Sequence, residues 1–298
     1  MNADDHRTDG TPESIGEGIP IYGVDFSGAA DAGANLWLAA GRATEPGLRV
    51  EGCAPAVEFL ADWYDGPPTT DRDATLAALR AFVRSLDAGS VVALDVSFGV
   101  PAPVAGGALD ADCWVDALDA VAAFDSATAF SDRCVGWARG TGEVDGTYVR
   151  RVTDELNGAF SPYHFFVKHQ TYHAARTVLR PLVAGGDVHV LPMAAGEADG
   201  ARPILLESYP AATLEDLGLH RERYKGGGAG ERTRRERNLD GLRDRGLGLS
   251  DGFPRERVLA DEGGDGLDAV VAAFAAYRNR DDLTPETDWR PVEGHIYV

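Results

Sequence analysis

Lysine is almost absent from this chain. Of its 28 basic residues only Lys168 and Lys225 are lysine, and the rest are arginine. Cysteine is nearly as scarce. Cys53, Cys113 and Cys134 are odd in number, widely spaced and without a C-x-x-C pair. That pattern indicates neither a disulfide framework nor a zinc site, so the three read as small core residues. No run approaches the roughly 18 apolar residues of a membrane helix. The opening MNADDHRTDGTPESIGEG lacks the apolar centre of a signal peptide. A soluble, cytoplasmic protein is expected. Nucleotide-loop chemistry is also disfavoured. There is no Walker A lysine, the Gly226–Gly230 run lacks the G-x-G-x-x-G register, and Asp95-Val-Ser-Phe-Gly99 lacks the first glycine of a nucleophile elbow.

What is present is a chain of 298 residues, 44% hydrophobic, with a formal net charge of −20. That length buries a sizeable core, and the apolar content excludes wholesale disorder. An acidic, lysine-poor surface fits a salt-loaded, halophilic cytoplasm, and a high-GC genome pushes composition the same way. At 1 M salt charges are screened within about 3 Å, so the negative total does not exclude an anionic substrate. It does argue against a site that depends on long-range electrostatic steering.

Residues 1–19 are polar and aperiodic and read as a disordered arm, leaving 20–298 as a single domain. Strand signals run over 21–26, 32–42 and 47–53 with glycine-bounded turns, which suggests an antiparallel meander. A short amphipathic piece at 57–63 and a helix beginning at Thr70/Asp71, with Leu76, Leu79, Phe82, Val83 and Leu86 on one face, come next. The run VVALDVSFGVP at 91–101 is a strand buried on both faces. Residues 102–200 form a helical insertion, ILLES near 202–210 returns to strand, and 266–278 is an alanine-rich helix. The expected fold is α/β: a mixed five-stranded sheet flanked by helices, carrying one helical insertion.

Chemistry concentrates in carboxylates at the ends of these elements. Asp25 ends the first strand signal, Asp95 the fourth and Glu207 the fifth, while Asp268, with Asp265 one turn before it, opens the last helix. An acid at the tip of a buried strand is costly unless it is paired or binds a cation. Strand C-termini and helix N-termini share the ligand-binding edge of such sheets. Four acids converging there call for a divalent cation, and oxygen donors favour Mg²⁺ or Mn²⁺. Asp25, Asp95, Glu207 and Asp268 are the catalytic candidates, and Asp265 joins them as a candidate metal ligand.

The stretches GVDFSGA (23–29), ALDVSFGVP (93–101), LESYPAATLEDLGL (206–219), YKGG (224–227) and DGLDAVVAAF (265–274), in that order, resemble the domain-of-unknown-function family 429. That family is described as predicted nucleases of the ribonuclease H-like fold. The resemblance covers most of the chain outside the arm and the insertion. It implies a ribonuclease H-like sheet and two-metal phosphodiester hydrolysis, with Asp25 bridging ions about 3.5–4 Å apart. Ribonuclease H proper carries an acid on its first helix, for which Glu207 is the candidate counterpart here. Asp25-Phe-Ser-Gly28 also vaguely resembles the first phosphate loop of sugar kinases and actin, which keeps a phosphotransferase as an alternative. A non-catalytic ligand- or nucleic-acid-binding module is another.

A second constellation is basic. Residues 221–245 hold nine basic and five acidic side chains in an otherwise acidic chain. Lys225 beside three glycines suits a phosphate contact. Ser27, Lys168, Tyr209, Lys225 and Arg235 are the candidate substrate contacts, the substrate being nucleic acid or another phosphate compound. Tyr163, Lys168, Gln170 and Arg176 of the insertion are candidates for setting its identity. His164, His169 and His173 around Lys168 lack a metalloprotease pattern, and a polar lid over the pocket is expected there instead of a zinc site.

Overall fold

The computed structural model describes residues 16–193, 202–284 and 292–298. Its sheet contains β1 (Pro20–Asp25), β2 (Trp37–Thr44), β3 (Gly47–Pro55), β4 (Val91–Asp95), β5 (His189–Val190), β6 (Ile204–Ser208), β7 (Leu247–Leu249) and β8 (Ile296–Tyr297). The spatial order is β5-β6-β4-β1-β2-β3-β7, with β8 pairing the end of β6. The first three strands form the expected antiparallel meander, and β4 and β6 continue the sheet parallel to β1. The result is a mixed α/β sheet. It has eight strands among the described residues where five were expected. The three additions, β5, β7 and β8, are edge strands of two or three residues, too short to carry a period-two pattern. Residues 32–35, expected as strand, form a helical turn instead.

Helices cover both faces. On one, α1 (Arg72–Ser85) is capped by Asp71, whose side chain accepts from the Ala74 amide at 3.0 Å. It buries Leu76, Leu79, Phe82 and Val83. Phe82 meets Tyr22, Phe59 and Trp63 edge to face at 5.1–5.8 Å. The insertion packs on this same face and is a series of helices and loops between Ala102 and Ala184, including α2 (Val152–Asn157) and α3 (Lys168–His173). It ends in β5 rather than in helix, and residues 194–201 lie outside those described. No helix among the described residues is long and apolar enough to cross a membrane. The arm expected over 1–19 falls outside the described residues up to residue 15, and Gly18 already donates to the Ala43 carbonyl at 2.9 Å.

The opposite face is covered by α4 (Ala229–Arg243) and α5 (Asp265–Arg278). Helix α5 is buried from Gly266 through Tyr277. Its small residues let it lie directly on β1, where Gly23 leaves no room for a methyl group. A Cβ there would stand 2.0 Å from the Ala269 carbonyl oxygen and 2.4 Å from the Ala273 nitrogen. Strand alternation then sorts the side chains. Ile21, Gly23 and Asp25 of β1, and Val91, Ala93 and Asp95 of β4, point toward α5. Val24, Val92 and Leu94 point toward the insertion. Replacing Gly23 with Ala is expected to lower the unfolding free energy by about 1–3 kcal/mol through overpacking, measured by urea denaturation in molar KCl. Parental stability would show that α5 is free to move off the strand.

Candidate carboxylate site

Asp25 and Asp95 are the last residues of adjacent parallel strands and sit opposite one another in the β1–β4 register. Because α5 is held so close to β1, the two aspartates of its first turn, Asp265 and Asp268, come near the ends of β1 and β4. The Asp25 carboxyl lies close enough to those of Asp95, Asp265 and Asp268 for all three to repel its charge. Among the described residues one cation faces the group. Lys225 Nζ lies 2.7 Å from Asp268 Oδ2, and the buried Tyr224 hydroxyl donates to Asp268 Oδ1 at 2.8 Å.

The segment carrying Lys225 is fixed from behind by Arg235. Its guanidinium is 2% exposed and donates to the carbonyls of Tyr224 at 2.5 Å, Gly226 at 2.9 Å and Leu259 at 3.0 Å. Gly226 adopts φ +124°, a conformation open to glycine, and its amide donates to the Glu262 carbonyl at 2.6 Å. Arg235, expected as a substrate contact, is therefore a buried support for the Tyr224–Gly226 turn, with its Nε and Nη1 engaged by three carbonyls.

Burial and mutual repulsion dominate the electrostatics. Desolvation, then repulsion from Asp268, pushes Asp95 up to about 7. Desolvation, then Asp261, pushes Asp265 up to about 6. Asp25 is raised well above the ordinary carboxylate range by burial, with Lys225 opposing and Asp268 and Asp265 reinforcing the rise. Burial works against the Lys225 ammonium, but Asp268 and Asp25 outweigh it and hold its pKa above the usual lysine value. The Tyr224 hydroxyl is likewise held protonated by burial and by Asp268.

Glu207 takes a different environment from the one expected. Its register partner is Leu94, so it points to the insertion face, opposite to Asp95. There the fully buried Arg151 grips both oxygens, at 2.5 Å to Oε1 and 2.7 Å to Oε2, and the Phe98 amide donates to Oε2 at 2.9 Å. Arg151 also holds Asp154 at 2.6 and 3.0 Å. Burial pushes the Glu207 pKa upward against the pull of Arg151, yet the fork geometry with the added amide is that of an ionised carboxylate. Glu207 is thus engaged as the anchor of the insertion, and the cluster consists of Asp25, Asp95, Asp265 and Asp268.

Of the other expected contacts, Tyr209 stays beside the cluster, with the Arg221 guanidinium 5.8 Å from its ring centre. Ser27 accepts from the Ala29 amide at 3.3 Å, within its own turn. Lys168 reaches Thr128 Oγ1 at 3.2 Å, inside the insertion, and lines neither cavity beside the acids. Tyr163 is buried against Val149 and Thr147, and Arg176 binds the carbonyls of Ala122 and Phe124. Gln170 alone of the four insertion candidates lines a cavity next to Asp95, donating to the Phe26 carbonyl at 2.7 Å. Cavity wall and internal support are therefore mixed in one segment.

Two cavities meet at Asp95 and Tyr209. One, of about 340 Å³, has Asp268, Lys225, Arg221 and Arg223 in its wall. The other, of about 60 Å³, extends past Ser97 and Gln170 to Phe160. Arg151, Tyr224 and the two rim arginines were not singled out individually from the sequence. An arginine's burial has no signature in the chain, and only the pairing of Tyr224 with Lys225 in YKGG offered a lead.

For a divalent cation the donor chemistry fits: four aspartates supply hard oxygens, and one ammonium leaves them short of positive charge. The positions do not yet converge. No group of three or more His, Cys, Asp or Glu side chains among the described residues is disposed to hold a metal ion as it stands. Lys225 Nζ is the cation among these acids. Compared with known proteins, the chain matches no family model, no curated protein and no solved structure.

The raised carboxyls define a pH dependence. An unfolded aspartate titrates near 3.8, so between about 4 and 7 Asp95 binds more protons in the folded chain than in the unfolded one, whereas His173 and His295, lowered to about 4, bind fewer. The stability tied to the Asp95 proton is present at the acid end and lost as the pH rises through about 7. Urea denaturation of the metal-free chain at constant KCl is expected to show the parent losing stability relative to Asp95→Asn as the pH rises through about 7. An unchanged slope in Asp95→Asn would separate Asp95 from the coupled group.

Proposed function

We propose that the chain is a divalent-metal-dependent phosphodiester hydrolase, a nuclease or phosphoesterase, on a ribonuclease H-like sheet. The fold part of this reading is supported by three antiparallel strands leading through α1 into parallel β4 and β6, with acids ending β1 and β4. One observation carries the functional part: four aspartates packed against a single ammonium, beside a cleft walled by Arg221, Arg223 and Lys225. Acids for a cation and bases for an anion, side by side, suit a phosphodiester bound with its metal.

Asp25, Asp95, Asp265 and Asp268 are the residues that would hold Mg²⁺ or Mn²⁺. When bound, the metal supplies an activated water and charge stabilisation at the phosphorus. The protein's own part begins with Tyr224, which orients Asp268 by donating to one of its oxygens. Arg221 and Arg223 neutralise the non-bridging phosphate oxygens, and Lys225 exchanges its carboxylate contact for the phosphate. Arg235 keeps the turn bearing Lys225 in place throughout.

Calorimetric Mn²⁺ titration in molar KCl, with hydrolysis of bis(p-nitrophenyl) phosphate, tests the reading. Asp25→Asn is expected to abolish Mn²⁺-dependent hydrolysis while leaving the circular dichroism of the parent. A folded Asp25→Asn chain that still cleaves would overturn the assignment. Lys225→Met removes the competing charge, so it is expected to bind Mn²⁺ about tenfold more tightly and yet turn over more slowly. Weaker metal binding in Lys225→Met would mean that the ammonium assists the cation site instead of competing with it.

A further inference from the structure

An unusual surface lies next to the cleft. Phe160, Phe165 and Phe166 are 44%, 53% and 65% exposed, on the loop between α2 and α3. Their rings form one contiguous group with His164. Phe160 stacks on His164 at 4.7 Å and 19°, His164 meets Phe165 at 4.2 Å, and Phe165 meets Phe166 at 4.1 Å. Tyr148 adds its ring 4.4 Å from His164. Neighbouring aromatic rings left in water on an acidic, hydrated chain call for an occupant.

Position and charge say which occupant. Phe160 is in the wall of the cavity that also contains Asp95 and Tyr209, so the ring group continues directly into the carboxylate site. Arg221 joins the two regions: it donates to the Gly158 carbonyl at 3.0 Å on the aromatic side and lies over Tyr209 on the other. Arg150 stands close enough to His164 to lower its pKa, with burial as the larger cause, and Arg223 and Lys225 continue the basic edge along the cleft. Exposed π faces flanked by guanidinium groups match a ligand that alternates flat apolar rings with phosphates. Duplex bases are stacked on each other and offer no free face, so the rings suit unpaired bases.

We propose that the Phe160–Phe166 loop is a stacking platform for the unpaired bases of a single-stranded nucleic acid, whose backbone runs along Arg221 into the carboxylate cleft. This rests on the hydrolase reading and names its substrate class. Base–aromatic stacking tolerates any sequence, so recognition is by strand state and not by base identity. Nothing in the ring geometry separates DNA from RNA, and the probes distinguish them.

The test uses the full chain carrying Asp25→Asn, so that bound strands stay intact, in KCl with Mn²⁺. Fluorescence anisotropy is measured with labelled oligo-dT and oligo-U of about 12 nucleotides and with a duplex of equal length. Single strands are expected to bind at least tenfold more tightly than the duplex, with either sugar. Phe165→Ser combined with Phe166→Ser is expected to weaken single-strand binding by roughly tenfold or more with the melting temperature unchanged. A strand carrying 2-aminopurine should lose fluorescence on binding, and that quenching should disappear in the double variant. Equal affinity for duplex, or single-strand binding indifferent to the ring changes, overturns the proposal. So does a concentration-dependent dimer that the double variant abolishes, which would make a second copy the occupant. Hydrolysis of bis(p-nitrophenyl) phosphate by the unaltered chain separates the two failures. Hydrolysis without single-strand binding overturns the platform alone, whereas its absence counts against the hydrolase reading as well.

Discussion

The distance between α5 and β1 governs the rest of the molecule. A glycine on the strand and alanines on the helix allow backbone to approach backbone, and the first turn of α5 is thereby brought over the end of β1. Half of the cluster depends on that approach. Asp25 and Asp95 are set by strand register, but Asp265 and Asp268 reach them only because nothing larger than hydrogen separates Gly23 from the helix. The core is small-residue packing for a positional reason as well as an energetic one.

Buried acids are handled here in two ways, one on each face of the sheet. On the insertion face, Glu207 is neutralised by a forked guanidinium and an amide and holds a helical segment to the sheet. On the α5 face, four aspartates share one ammonium, and burial makes Asp25, Asp95 and Asp265 hold protons more tightly than free carboxyls do. The first arrangement is saturated: each oxygen has its donor, and removing the arginine leaves an uncompensated buried charge. The second is unsaturated, and added positive charge relieves it. Saturated acids serve architecture, and unsaturated ones are available for chemistry.

Much of the fold could be read from residue pattern. The meander, the capped α1, the buried β4 run and the alanine-rich α5 each have a strong local signature, and the structure contains them at nearly the expected positions. The short edge strands had none, because pairing and not sequence defines a strand of two residues. At the site, Asp25, Asp95, Asp265 and Asp268 were legible as acids at element ends. Glu207 takes the opposite face to Asp95 for a reason of phase: in ILLES it sits one residue out of step with Asp95 in VVALD, and the face it takes depends on the β4–β6 register, which the chain alone does not reveal. Arg235 looked like one arginine among many in a basic stretch, and its burial emerges only from the tertiary contacts of the 224–226 turn.

The scarcity of lysine acquires a further meaning from where Lys225 sits. Lys168 is its only fellow, far along the insertion. Primary amines on the side chains thus amount to two chemically distinct positions. One is tied to a hydroxyl, and the other is held as an ammonium by the carboxylates it neutralises. A protonated amine is a poor nucleophile, so acylating reagents meet a protected group at Lys225 for as long as the aspartates hold it. Anything that draws those aspartates away lowers its proton affinity and uncovers the amine. Side-chain acylation at this single position therefore becomes an internal reporter of the charge state of the cleft, one that a surface crowded with lysines would have drowned out.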